Sequence, residues 1–246
     1  MMKNIWGVLA FLSVFSLLAG GGVIRPVIRV KKVEKFVYAQ GMHHKIWREM
    51  RGVPLLLNAG IPQDFGLLPE EHGQVKLLKD KENLYIKAEL TDSEVLSEAV
   101  DKKSPLMNCS DVFFVVLRPL CDTGFFYFIC TPNAIISSTF VRGAGSMRLA
   151  SASISLKTPV PLYTAVKGKI NDSKRDKGWN ALLVIPLEKL VAEVEKHGIK
   201  LTSDTSWTLM AGRKNFSRFL QMVEQSGYPQ PVRGFFQMPH HARLVF

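Results

Sequence analysis

Asp111-Val112-Phe113-Phe114-Val115-Val116-Leu117 is apolar on both faces of an extended chain, and after Pro119 to Gly124 comes Phe125-Phe126-Tyr127-Phe128-Ile129-Cys130. A strand with one wet face alternates apolar and polar residues, so an unbroken apolar run predicts a central strand covered on both sides. Asp122 and Gly124 are turn formers, and the two runs read as a hairpin with a medium loop. Upstream, Leu84-Tyr85-Ile86-Lys87-Ala88-Glu89-Leu90 alternates in its second half, as a half-buried strand does. Further strands are expected at 74–79, 163–170, 179–185, 206–213 and 242–246. Many short strands with turn signals between them indicate an all-β fold, an antiparallel β-sandwich of jelly-roll or immunoglobulin-like type.

One short helix interrupts this pattern. Pro186 precedes Leu187, Leu190, Val191 and Val194, apolar at i, i+3, i+4 and i+7, and Gly198 follows. Proline at the start, one apolar face and glycine past the end agree on a helix after the Ile185-Pro186-Leu187 strand end. Lys196 and His197 suit the negative end of its dipole, which makes His197 a helix-terminal residue rather than a ligand.

Composition narrows the class. The 246 residues are 47% hydrophobic, which excludes a disordered chain, and three cysteines exclude a small disulfide scaffold. The net charge is +11. Six basic residues (Arg25, Arg29, Lys31, Lys32, Lys35 and Lys45) stand against Glu34 in residues 23–45, so nearly half of that charge sits in one short stretch. The rest is spread thinly with no basic stripe between aromatics, which argues against a nucleic-acid partner.

Residues 1–22 have the three parts of a secretory signal: a basic start at Lys3, the uncharged apolar stretch Ile5–Leu18, and the small residues Ala19 to Gly22. The alternative is a membrane anchor, because Ile5 to Ile24 carries no charge over about the length of one helical span. Either way the remainder is exported, to the outside or to the cell envelope. The chain then divides into 1–22, a basic lead-in at 23–46, and a sandwich at 47–246. The lead-in reads as a solvated strand close to the membrane exit; the sharper reading is attraction to anionic lipid headgroups. In an oxidising compartment Cys109, Cys121 and Cys130 are an odd set. Cys130 fits a buried inert thiol, a Cys109–Cys121 bridge is open, and no spacing among the three resembles a zinc site.

The order of motifs resembles the family 9 carbohydrate-binding modules and their relatives with DOMON-like β-sandwich folds. Trp47 stands where that family has an early Trp. Val75-Lys76-Leu77 leads to Asp80, then Asn83-Leu84-Tyr85-Ile86 and Thr91-Asp92. Ser110-Asp111-Val112-Phe113-Phe114 resembles the next strand, and Tyr127 to Pro132 the aromatic strand after it. Gly178-Trp179 to Ile185-Pro186-Leu187 with Leu190, Trp207 to Arg213, and Phe236, Pro239 and Leu244–Phe246 complete the series. Two departures bear on ligand capture. Leu106, Met107 and Asn108 fill the stretch where sugar-binding members carry a stacking Trp, and the family's strand Glu falls on Phe114.

The resemblance implies a non-catalytic carbohydrate-binding module whose partner is a glycan. Phe236 or Phe235 occupies the family's second aromatic position, and the outward one of that pair is the stacking candidate. Arg213, Asn215 and Asn108 are the polar ligand-binding candidates, through bidentate contact with sugar hydroxyls. The structural alternative for Arg213 is an ion pair with a strand-end acid, Asp111 or Asp92. Those two acids are also weak calcium candidates. Trp47, Trp179 and Trp207 are expected in the core. His43-His44 and His240-His241 point to opposite faces of a strand and do not chelate one metal as pairs. No cofactor is expected; haem, through Met107, Met210 or Met222, is a minor alternative. Asp172 and Asp176 alternate with Lys174, Arg175 and Lys177 and read as a solvated loop. No nucleophile elbow, phosphate loop or zinc-protease pair is present in the sequence. The runner-up functions are an envelope adaptor that has lost the sugar site, and a relative associated with glycoside hydrolysis or haem binding. Membrane contact is expected only through the N-terminal segment.

Overall fold

Two β-sheets stack face to face, and the period-two alternation of their strands decides which residues meet between them. The computed structural model describes residues 25–34, 36, 38–58, 66–104, 107, 109–121, 124–142, 153–201, 206–217, 223–230 and 241–246. Over these the chain forms β1 (Val27–Arg29), β2 (Lys31–Lys32), a 3-10 turn (Tyr38–His43), α1 (Ile46–Glu49), β3 (Val53–Pro54), β4 (Leu56–Leu57), β5 (Gly73–Lys79) and β6 (Leu84–Leu90). It continues through β7 (Val112–Pro119), β8 (Phe125–Cys130), β9 (Ile136–Val141), β10 (Ser153–Ser155), β11 (Leu162–Val166) and β12 (Trp179–Ile185). Helix α2 (Leu187–Glu195), β13 (Trp207–Asn215), β14 (Glu224–Tyr228) and β15 (Ala242–Val245) complete it.

The larger sheet runs β1-β15-β13-β7-β8-β9-β10, and the smaller runs β11-β12-β6-β5-β2. In each, one strand divides an edge between two short partners: β13 gives its first half to β15 and its second to β14, and β5 is shared by β3 and β2. The expected hairpin is β7–β8, with Phe113 opposite Cys130 and Leu117 opposite Phe126. Pairing is antiparallel except at β1 with β15 and β2 with β5, which are parallel. The sandwich therefore starts before residue 47. The basic lead-in supplies an edge strand to each sheet, a role its charge pattern does not show.

The core follows from the alternation. Phe113, Val115 and Leu117 of β7, Phe126, Phe128 and Cys130 of β8, and Leu209 and Ala211 of β13 face Leu84, Ile86 and Ala88 of β6 and Trp179, Ala181, Leu183 and Ile185 of β12. The apolar opposite face of β7 is also buried: Phe114 and Val116 join Phe125 and Met210 in a separate outer cluster. On the outside of the smaller sheet, Phe36 and Trp47 cover Leu78, Tyr85, Leu182 and Val184. Trp47, Trp179 and Trp207 are all core residues. Helix α2 buries Leu187, Leu190 and Val194, ending at Glu195 just before Lys196 and His197.

Motif residues that look like chemistry are partly turn locks. Asp80 Oδ1 accepts the N–H groups of Glu82 at 2.9 Å and Asn83 at 2.8 Å, and Oδ2 accepts the Tyr85 hydroxyl at 2.6 Å. This Asx turn closes the β5–β6 hairpin. Burial alone would raise the Asp80 pKa, and the Tyr85 hydroxyl and those N–H groups hold it below its ordinary value. Cys130 is buried, donates to Phe113 O at 3.3 Å, and has its thiol pKa pushed up by burial. Cys109 and Cys121 are exposed, and none of the three cysteines is in a disulfide. No helix among the described residues is long and apolar enough to cross a membrane.

Candidate functional site

β13 carries Arg213 inward at the end of the sandwich where β5 begins and β6 ends. The charge of a guanidinium there must be compensated, because an unpaired buried charge costs several kcal/mol, about 3–5 when one partner is removed. Arg213 is 1% exposed. Its Nη1 donates to the backbone oxygens of Thr91 at 2.6 Å and Glu71 at 3.2 Å. Its Nη2 donates to Asp92 Oδ2 at 2.9 Å and to Asn215 Oδ1, and lies 3.7 Å from Glu71 Oε2. Asn215 closes the ring by donating Nδ2 to Glu71 Oε2. Arg213 Nε is buried with no hydrogen-bond partner among the described residues.

Over this cluster runs a strap of six consecutive residues, each of whose N–H groups goes to a side-chain oxygen. Ser93 donates to Glu71 Oε1 at 2.7 Å, Glu94 to Asp92 Oδ1 at 3.0 Å, and Val95 to Asp176 Oδ2 at 2.9 Å. Leu96 donates to Asp111 Oδ2 at 2.6 Å, Ser97 to Asn171 Oδ1 at 2.9 Å, and Glu98 to Ser110 Oγ at 2.9 Å. A loop has no sheet partner for its amides, and buried amides need acceptors. Here the acceptors come from four different segments of the chain. Asp111 also takes the Phe216 N–H at 2.7 Å, which ties the strap to the end of β13. Ser93 Oγ and Ser217 Oγ lie 3.2 Å apart on the same end.

Electrostatically the cluster sets Glu71, Asp92 and Asp111 against one guanidinium. Burial pushes the Asp92 pKa up to about 7, against the pull of Arg213. It pushes Asp111 up to about 8, and the neighbouring Asp92 charge adds to that rise. Every one of these carboxylates already accepts backbone N–H or guanidinium donors. Among the described residues, no three His, Cys, Asp or Glu side chains gather so as to hold a metal ion.

The structure thus brings Arg213, Asn215, Asp92 and Asp111 to one place, and the ion-pair reading of Arg213 describes its contacts. Asn108, Phe235, Phe236, His240 and Met222 lie outside the described residues. Met107, beside Asn108, is 7% exposed. Asp176 is not part of a merely solvated loop: it accepts the N–H groups of Val95 and of Lys169, the latter at 2.9 Å. Glu71 and Asn171 were invisible as site residues in the sequence. Each stands in a polar loop without a motif, and only the fold brings it to the strap. Asn171 adopts φ +58°, a conformation Asn tolerates better than most residues, and also donates Nδ2 to Ser97 O at 3.0 Å.

No family model matches the chain, and no curated protein matches it. Solved structures do. A candidate carbohydrate-binding protein from Bacteroides uniformis superposes with a TM-score of 0.60 at 14% identity, covering 89% of this chain and 98% of that one. A family 9 carbohydrate-binding module from Caldicellulosiruptor kristjanssonii, solved with cellotriose, superposes with a TM-score of 0.51 at 14% identity, covering 90% and 93% of the two chains. The fold is that of the family 9 carbohydrate-binding modules. At this identity the likeness is one of architecture, and the family 9-like sandwich accounts for the strand order without fixing a ligand.

Proposed function

We propose that this protein is an exported, non-catalytic module that binds carbohydrate at the loop end floored by Arg213. The observation that carries the reading is near end-to-end likeness in fold to the cellotriose-bound module. In this reading Phe236 or Phe235 stacks on a sugar ring and Asn108 supplies a hydrogen bond to its hydroxyls. Arg213 and Asn215 are positioning residues. They are 1% exposed and hold Glu71 and the strap in place beneath the ligand. Asp92 and Asp111 are spent on Arg213 and on backbone amides, so neither is assigned a metal or a proton-transfer role, and no cofactor is included. Residues 1–22 act as the export signal, with 47–246 and the two lead-in strands as the binding unit.

Calorimetric titration of the full chain with glucose and cellotriose, beside a glycan array, tests the reading. Saturable binding that Phe236→Ala or Phe235→Ala weakens, at unchanged melting temperature, is the expected result. A cooperatively melting sample that binds no glycan overturns it and leaves the adaptor role. Mass determination of the N-terminus after secretion tests export separately.

A further inference from the structure

The parallel pair β1–β15 puts Val27 beside Arg243 and Arg29 beside Val245. In a parallel pair, registered residues point to the same side of the sheet. Ile28 and Leu244 turn inward, 7% and 4% exposed, so the other four side chains form an outward checkerboard of two arginines and two valines. Val27 is 53% exposed and Val245 42%, and Arg29 and Arg243 are both exposed. The chain then steps to the smaller sheet, where Lys31 and Lys32 are exposed on β2, opposite Leu78 and Lys79. Arg25 stands two residues before the start of β1. Among the described residues, none of Arg25, Arg29, Lys31, Lys32 or Arg243 has a salt-bridge partner. Glu34 is the only acid in residues 25–34.

We infer that this edge docks on the surface of an anionic lipid bilayer. Guanidinium groups bind phosphate in a bidentate way, and exposed aliphatic side chains between them reach the headgroup boundary. The chain itself supplies the orientation. Residues 5–24 carry no charge over about the length that spans a bilayer core, and Arg25 follows at once, with two residues between Ile24 and β1. No linker separates the apolar segment from the basic edge, so a membrane that holds the first, during export or as a lasting anchor, lies against the second. The fold adds Arg243, from the far end of the sequence, to the charges that precede it. This inference stands apart from the carbohydrate reading, because the edge does not include the Arg213 end.

Flotation of the full chain with vesicles of phosphatidylcholine alone, or mixed with phosphatidylglycerol, tests it at low and high salt. The contribution of residues 5–24 is common to both vesicle types and cancels in their ratio. The native chain is expected to prefer the anionic vesicles by on the order of tenfold or more, at about fivefold per basic side chain, and to lose the preference in high salt. R29E/K31E/R243E should abolish the preference, while K157E/K167E/K174E, with the same change in net charge at other exposed positions, should keep most of it. R29Q/R243Q, which removes charge without reversing it, serves if the reversal variant does not fold. Equal binding to both vesicles by the native chain overturns the inference. So does equal loss in the two reversal variants, or binding to a soluble sulfated polysaccharide with none to vesicles.

Discussion

Arg213 Nη2 donates to Asp92 Oδ2 at 2.9 Å, and this contact joins the two sheets, since Arg213 belongs to β13 of the larger and Asp92 follows β6 of the smaller. Both groups are buried, at 1% and 2% exposure. The pair is thus a cross-link at the end of the sandwich as well as a charge pair.

Arg213→Met should cost on the order of 3–5 kcal/mol, because Asp92 and Glu71 would keep their burial and lose their counter-charge. Urea unfolding measures it. In a double-mutant cycle, Asp92→Asn in the Met background should recover part of the loss. A cost below about 1 kcal/mol would mean that the cross-link is not what holds the sheets together there.

Stability should fall as pH rises. Asp92 and Asp111 are raised to about 7 and about 8 in the fold, from about 3.9 for a free Asp side chain. A carboxyl with a raised native pKa holds a proton that the unfolded chain releases between the two values. Its stabilising contribution is complete below about pH 4 and is lost as pH climbs through about 7–8, with a slope of up to about 1.4 kcal/mol per pH unit for each fully linked group. Melting temperatures across that window test this, and Asp111→Asn should flatten the curve. A midpoint that rises with pH would show that Arg213 and the strap amides keep both groups ionised.

Gly178→Ala should destabilise by roughly 2 kcal/mol or more, combining a strained backbone with a clash. Gly178 has φ +117°, and a Cβ there would lie 2.0 Å from the Leu90 carbonyl oxygen. Gly198 gives the comparison: its φ is +80° with open space around it, so Gly198→Ala should cost only about 1 kcal/mol. Thermal unfolding of the two variants separates contact from conformation.

Under the carbohydrate reading, Phe236→Ala should lower the affinity for a bound oligosaccharide by on the order of tenfold, the loss of one stacked ring, without moving the melting temperature. Titration calorimetry reads it. Unchanged affinity in both Phe236→Ala and Phe235→Ala would place the ligand elsewhere on the sandwich.

What the sequence disclosed tracks how local the determinant is. β7, β8 and β12 were legible because their apolar runs are buried on one or both faces, and α2 because its face and ends agree. β14 was not, nor were the places of β1 and β2 in the two sheets. Their residues are basic, glycine-containing or polar, and they become strands only by lying on an edge that another part of the chain provides. The site divides similarly. Arg213 and Asp92 stand in motifs whose order could be read, and their meeting was one of two stated alternatives. The strap at 93–98 could not be read, because Ser93, Glu94 and Ser97 look like a loop until Glu71, Asp111, Asn171 and Asp176 arrive from distant segments.

The edge pairing of Val27 with Arg243 also sets an order of events. Within the sheet β1 has β15 as its neighbour, and Val30 gives its N–H to Val245 O at 2.9 Å. β1 therefore waits for β15, which is synthesised much later. Until β15 emerges, β1 has no partner and Leu209 lacks Ala242 beside it. Closing so long a loop is the slow step expected of a high-contact-order sandwich. An edge of this design stays unzipped, and its leading strand free to pass through a narrow pore, for as long as β15 is withheld.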